Sequence, residues 1–128
     1  MSRASRHPHE TSRHHVSPHA LLAHADETAG RLRQRVRERH LTRWELVCVV
    51  DAEQRLLGTL TGPELLALPD GALLQQAARR DHPRVAAGDD QERMASLALH
   101  HGVGAVPVVD ADGRLVGVVG AATLMDIL

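Results

Sequence analysis

VVDAEQRLLG at residues 49–58 returns as VVDADGRLVG at residues 108–117, 59 positions later, with seven of the ten positions identical. The apolar run Leu46–Val50 reads as a buried strand, DAEQR as a turn, and Leu56–Leu60 as a second strand, so each copy is a hairpin. A helix precedes each hairpin. In copy one Asp26 is the expected N-cap and Leu32, Val36 and Leu41 share a face as far as about His40; in copy two Asp90 to His101 carries Met94, Leu97 and Ala98. Short helices close the copies at Pro63–Leu68, with proline at an early helical position, and at Ala121–Leu128.

One such unit cannot cover the apolar faces of its two or three strands. Two copies packed sheet to sheet about a pseudo-twofold axis can do so. The expected fold class is α/β (α+β): two β-α-β-β-α repeats, residues 16–68 and 69–128. Leu73–Arg80 with Pro83 and Val85 form the crossover into copy two, and His14–Ala25 is its counterpart in copy one. Residues 1–15, MSRASRHPHETSRHH, have no apolar periodicity and read as a disordered His-rich tail; six of the ten histidines (His7, His9, His14, His15, His19, His24) fall in the first 24 residues. Irregular spacing of this kind suits zinc or nickel if any metal, though a solvated tail is the plainer reading.

Composition narrows the function. At 128 residues and 43% hydrophobic content the chain is one domain with a real core, built almost without aromatics: Trp44 is the only large ring. Fifteen basic against sixteen acidic residues, and no stacking platform, argue against a nucleic-acid partner. Cys48 has no partner for a disulfide and reads as a small buried hydrophobe in a reducing compartment. No stretch approaches the apolar length of a membrane span, no signal peptide opens the chain, and the expected location is cytoplasmic. No Ser or Cys sits in a nucleophile-elbow context, no His pair has i, i+4 spacing around a Glu, and adjacent His100 and His101 cannot share a ligand, so no enzyme is expected.

AVPVVDADGRLVG at 105–117 and VCVVDAEQRLLG at 47–58 resemble the cystathionine-β-synthase-type (CBS) domain family, which implies a tandem CBS pair. In copy one Gln54 replaces the turn glycine, which is tolerable where the turn needs no positive φ. DETAGRL at 26–32, DDQERMASLALHHGVGAVPVVDADGRLVGVV at 89–119 and LMDIL at 124–128 further resemble the cytosolic sensor of MgtE-type magnesium transporters, over residues 16–128. That likeness implies a regulatory module at the inner face of the membrane, a homodimer through the CBS helices, and a membrane-embedded magnesium channel domain as partner, carried elsewhere.

The resemblance also implies ligands. Magnesium would be held at Asp89, Asp90 and Glu92 at a helix start, Asp110 and Asp112 in the turn, and Asp126 in the last helix. All but the last have ordinary alternatives as caps, dipole partners and turn formers, whereas Asp126 near a helix C-terminus opposes the dipole; the family's first acid of that helix is Thr123 here. Many CBS pairs bind adenine nucleotides through Gly-x-x-Thr/Ser-x-x-Asp. GTLTGPE at 58–64 keeps Thr61 and offers Glu64 for ATP or AMP, but GVVGAAT at 117–123, with Gly120 and Thr123, has lost both groups. A ligand-free dimerisation module is the remaining alternative.

Overall fold

A computed structural model describes residues 20–88, 92, 93, 96 and 104–120. The tail at 1–15, most of the Asp90–His101 helix, the closing Ala121–Leu128 helix, and the candidate ligands Asp89, Asp90 and Asp126 lie outside these residues. Elements follow in the order β1 (Ala20–His24), α1 (Ala29–Glu38), β2 (Leu46–Val50), β3 (Leu56–Leu60), α2 (Gly62–Ala67), α3 (Leu74–Ala77), β4 (Val85–Ala86), β5 (Ala105–Val109) and β6 (Leu115–Gly120).

Both repeated decapeptides form the expected antiparallel hairpins, β2 with β3 and β5 with β6, each with a bulge at the same place, Val49/Val50 and Val108/Val109. A third strand joins each sheet in parallel: β1 beside β2, with Ala23 opposite Val49, and β4 beside β5, with Val85 opposite Val108. These are the leading strands of the expected β-α-β-β-α repeats, and the first of them lies within the stretch His14–Ala25, at 20–24. The hairpins are offset by 59 residues (108 − 49) but the parallel strands by 62 (85 − 23), so copy two is three residues shorter between its first two strands.

Strand β2 is buried on both faces, which explains its unbroken apolar run. Val47 and Val49 meet Leu21, Ala23 and Leu60 in a core closed by Leu32 of α1, Leu65 of α2 and Leu74 of α3. Leu46, Cys48 and Val50 turn the other way and pack with Leu56 against Ala105, Leu115 and Val118 of the second sheet. The two sheets are thus joined face to face, as expected. Their turns also touch: Leu56 N–H donates to the Gly113 carbonyl at 2.9 Å and Leu115 N–H to the Gln54 carbonyl at 2.9 Å. The 59-residue offset exchanges the two bonds, Leu56 with Leu115 and Gln54 with Gly113, so a pseudo-twofold axis passes between Arg55 and Arg114, which face each other as an antiparallel bridge.

Three local expectations are corrected. Helix α1 begins at Ala29, not Asp26, because the Thr28 hydroxyl accepts the Arg31 N–H at 3.3 Å while Asp26 lies exposed in the preceding turn. It ends in a Schellman arrangement: Leu41 N–H donates to Val36 O and His40 N–H to Arg37 O, with His40 at φ 52 where glycine is usual. Helix α2 covers Gly62–Ala67, one residue earlier than Pro63–Leu68, because Thr61 caps it.

The third correction concerns Gln54. Its φ is 68, matching the 84 of Gly113, so the turn does demand the left-handed region. Asp51 Oδ1 accepts the Glu53 and Arg55 N–H groups at 2.9 Å each, as Asp110 Oδ1 accepts those of Asp112 and Arg114, and both turns have the same conformation. A left-handed non-glycine residue costs about 1 kcal/mol. Gln54→Gly removes that strain but gives the unfolded chain more freedom. It is expected to stabilise by a net few tenths of a kcal/mol, up to about 1, in urea denaturation.

Candidate functional site

Thr61 and Glu64, expected to hold a nucleotide, are brought together, but by each other. The Thr61 hydroxyl accepts Glu64 N–H at 3.3 Å and Glu64 Oε1 accepts Thr61 N–H at 2.8 Å, a complete capping box. Arg79 then donates to Glu64 Oε2 at 3.3 Å. Partial burial pushes the Glu64 carboxyl up, but the Thr61 donors and Arg79 outweigh it and leave the pKa below its usual value. Both side chains therefore have a structural duty that a ligand would have to share.

Beside them lies a feature the sequence reading treated only as composition. The Trp44 ring rests against Gly62, where a Cβ would sit 3.6 Å from ring carbons, and the Trp44 indole N–H donates to Leu41 O at 3.3 Å. Trp44 lines a depression of about 260 Å³ with Ala20, Leu21, His40, Leu41, Thr42 and Arg43. An aromatic wall, two strand-start residues and a cation are the groups a planar heterocycle uses. The signal available in the sequence was that Trp44 is the lone aromatic.

The acidic positions are less convergent. Asp110 Oδ1 is committed to its own turn, and Asp112, 72% exposed, stands 3.7 Å from Arg114. Glu92 is helical and exposed. Among the described residues no group of three or more His, Cys, Asp or Glu is placed to hold a metal ion. Asp112 and Glu92 nevertheless keep carboxylates open to water, which suits magnesium because it retains several of its water ligands.

The segment between the sheets is tied down along its length. Arg79 and Thr59 exchange backbone hydrogen bonds at 2.8 and 2.9 Å, Arg80 donates to Leu57 O, Arg84 donates to Leu56 O, and a His82 ring nitrogen lies 3.1 Å from Ala105 O. Burial, reinforced by Arg79 and Arg84, lowers the His82 pKa despite its bond to Ala105. The unfolded chain then takes up the proton first as pH falls. Stability from this group is complete above about pH 6.5 and declines below it. Melting temperature measured from about pH 7.5 to about 5.5 is expected to fall less in His82→Gln, whose amide can still reach Ala105. Burial also pushes the Cys48 thiol up to about 12, making it a packing group without nucleophilic character.

Among the described residues no helix is long and apolar enough to cross a membrane. The family model described as CBS domain matches residues 74–128. A magnesium transporter MgtE of Enterococcus faecalis is 33% identical over 82 residues, 64% of this chain, and the namesake of Thermus thermophilus is 32% identical over the same length. The chain spans only 18% of the length of either relative. A crystal structure of the cytosolic domain of the Mg2+ channel MgtE in complex with ATP superposes with a TM-score of 0.77 at 26% identity, covering 88% of this chain and 46% of that one.

Proposed function

We propose that this chain, a CBS-domain pair resembling the cytosolic sensor of MgtE-type transporters, is a regulatory module that senses magnesium on the cytosolic side of a membrane channel. The observation that carries the reading is the 82-residue likeness at 33% identity, which spans more of the chain than one CBS copy. In this reading Asp89, Asp90, Glu92, Asp110, Asp112 and Asp126 hold the ion, largely through its water shell, across boundaries between copies and between subunits. An ion that binds one arrangement better shifts the population toward it. The subunits meet through the CBS helices. Leu66 on α2, 73% exposed, supplies apolar surface for that contact.

The test is a thermal melt and sedimentation of the full chain with millimolar magnesium. A raised melting temperature or a tighter dimer is expected, weakened in Asp126→Asn; a flat response overturns the reading. The Trp44 depression supports a second reading, an adenine-nucleotide sensor. It expects saturable heat with AMP or ATP that is lost in Trp44→Ala, and no heat with either nucleotide ends it.

A further inference from the structure

In copy one the outer edge of β3 is covered by the segment that leads into β4. Thr59 and Arg79 exchange backbone hydrogen bonds at 2.8 and 2.9 Å, and a Cβ on Gly58 would lie 2.8 Å from both the Ala78 Cβ and the Arg79 carbonyl. Copy two has the same edge. Val118 of β6, 59 residues on, is the counterpart of Thr59, and it lies opposite Pro107 as Thr59 lies opposite Cys48. Directly opposed residues of an antiparallel pair exchange both backbone bonds or neither, and proline has no N–H to give. The Val118 N–H and carbonyl therefore point outward, away from β5. Among the described residues neither meets a partner, yet Val118 is only 4% exposed, close to the 2% of Thr59. Buried backbone groups are paired in folded proteins. Gly117 also stands where Gly58 does, at the end of each repeated decapeptide.

The pseudo-twofold axis identifies the occupant. The leading strands are offset by 62 residues, and the offset holds back to His82, whose ring lies on Ala105 as Ala20 lies beside Leu46. The counterparts of Ala78 and Arg79, 62 residues before them, are Val16 and Ser17, outside the described residues. We propose that Val16 and Ser17 dock on the outer edge of β6. Ser17 exchanges two backbone hydrogen bonds with Val118, and Val16 lies against Gly117 as Ala78 lies against Gly58. The sequence suits this: Val16 is the first aliphatic residue larger than alanine after Met1, and Pro18 biases Ser17 to extended backbone. Pro18 forfeits no bond, since the backbone N–H of its counterpart Arg80 makes none among the described residues. Each copy's lead-in then closes the other copy's sheet. The edge is blocked against strand addition from another chain, and the His-rich tail leaves the fold beside copy two.

The test is amide exchange at Val118 in the full chain, read by NMR well below the melting temperature and without magnesium or nucleotide. Val118 is expected to exchange at least about 100-fold more slowly than an unstructured amide, as Thr59 should. Val16→Asp sets a charge against the edge, and Ser17→Pro removes the donor to the Val118 carbonyl. Each should speed exchange at Val118 about tenfold or more while Thr59 stays protected. Ser12→Pro, farther out in the tail, is the control and should change neither amide. Three outcomes overturn the proposal: a Val118 amide that is unprotected in the full chain, protection that survives both variants, and protection that rises with protein concentration, as a second copy on the edge would give.

Discussion

Replacing Gly58 by alanine is expected to lower stability by about 2–3 kcal/mol, read as a shift in the urea midpoint with an unchanged slope. A Cβ there would lie 2.8 Å from both the Ala78 Cβ and the Arg79 carbonyl, and the second of these is backbone that cannot rotate away. The neighbouring Thr59 makes both of its outward backbone bonds to Arg79, at 2.9 and 2.8 Å. Relief of the clash must therefore stretch or break this pair, worth about 1 kcal/mol each, and lift Ala78 out of the core. Glycine at 58 is needed for close approach, not for a special φ. Alanine at Gly71, where a Cβ meets nothing within 4 Å, is the control and should cost far less.

Leu74→Ala is expected to cost about 3 kcal/mol, within the 2–5 typical of a buried leucine. Leu74 is 0% exposed and sits in the same core as Leu32, Val47 and Leu65, although it follows the first hairpin by more than a dozen residues. Helix α3 is one turn long with no side-chain cap, so it depends on this burial and on backbone bonds to its neighbours. Ala29 N–H donates to Ala72 O and Leu74 N–H to Glu27 O at 2.9 Å each, Gln75 N–H donates to Ala25 O at 3.3 Å, and Arg79 beyond the helix is paired with Thr59. Loss of the side chain should thus loosen residues 72–78 as a unit, visible as faster amide exchange there before global unfolding. Uniform loosening of both sheets would contradict this.

The hairpins were legible because strand period and turn residues are local and appear twice. A leading strand was expected in each repeat, but the bounds of β1 were not legible. Ala20–His24 is five residues of mixed character whose strand partner among the described residues is β2, parallel and beyond a helix, so its place is decided by a distant pairing. The start of α1 was misread because Asp26 and Thr28 are both good caps two residues apart, and only the geometry of the preceding turn selects between them. Gln54 was read leniently because its residue type does not signal a left-handed φ; the demand comes from its own turn, closed by Asp51 as Asp110 closes the turn that carries Gly113.

At the site, Thr61-Gly-Pro-Glu64 was recognised as a ligand motif while its equally local identity as a capping box went unread. The family resemblance directed attention to what a ligand would need, and the helix start had the prior claim. Trp44 could not be assigned from spacing, since Ala20, Leu21 and Gly62 reach it only through the fold. The acidic positions split the same way: Asp110 is explained by its own turn, and Asp112 and Glu92 remain open to solvent.

The paired bonds between Leu56 and Gly113 and between Leu115 and Gln54 have a historical reading. A contact in which each half gives what it receives is the kind made by two identical chains related by a true dyad. A half-length ancestor could have closed its sheet on a twin of itself, and gene duplication with fusion would then have kept every one of those contacts while removing the entropy of association. Freed from identity, the halves could drift, and glycine at one turn and glutamine at the other record that drift at the axis itself.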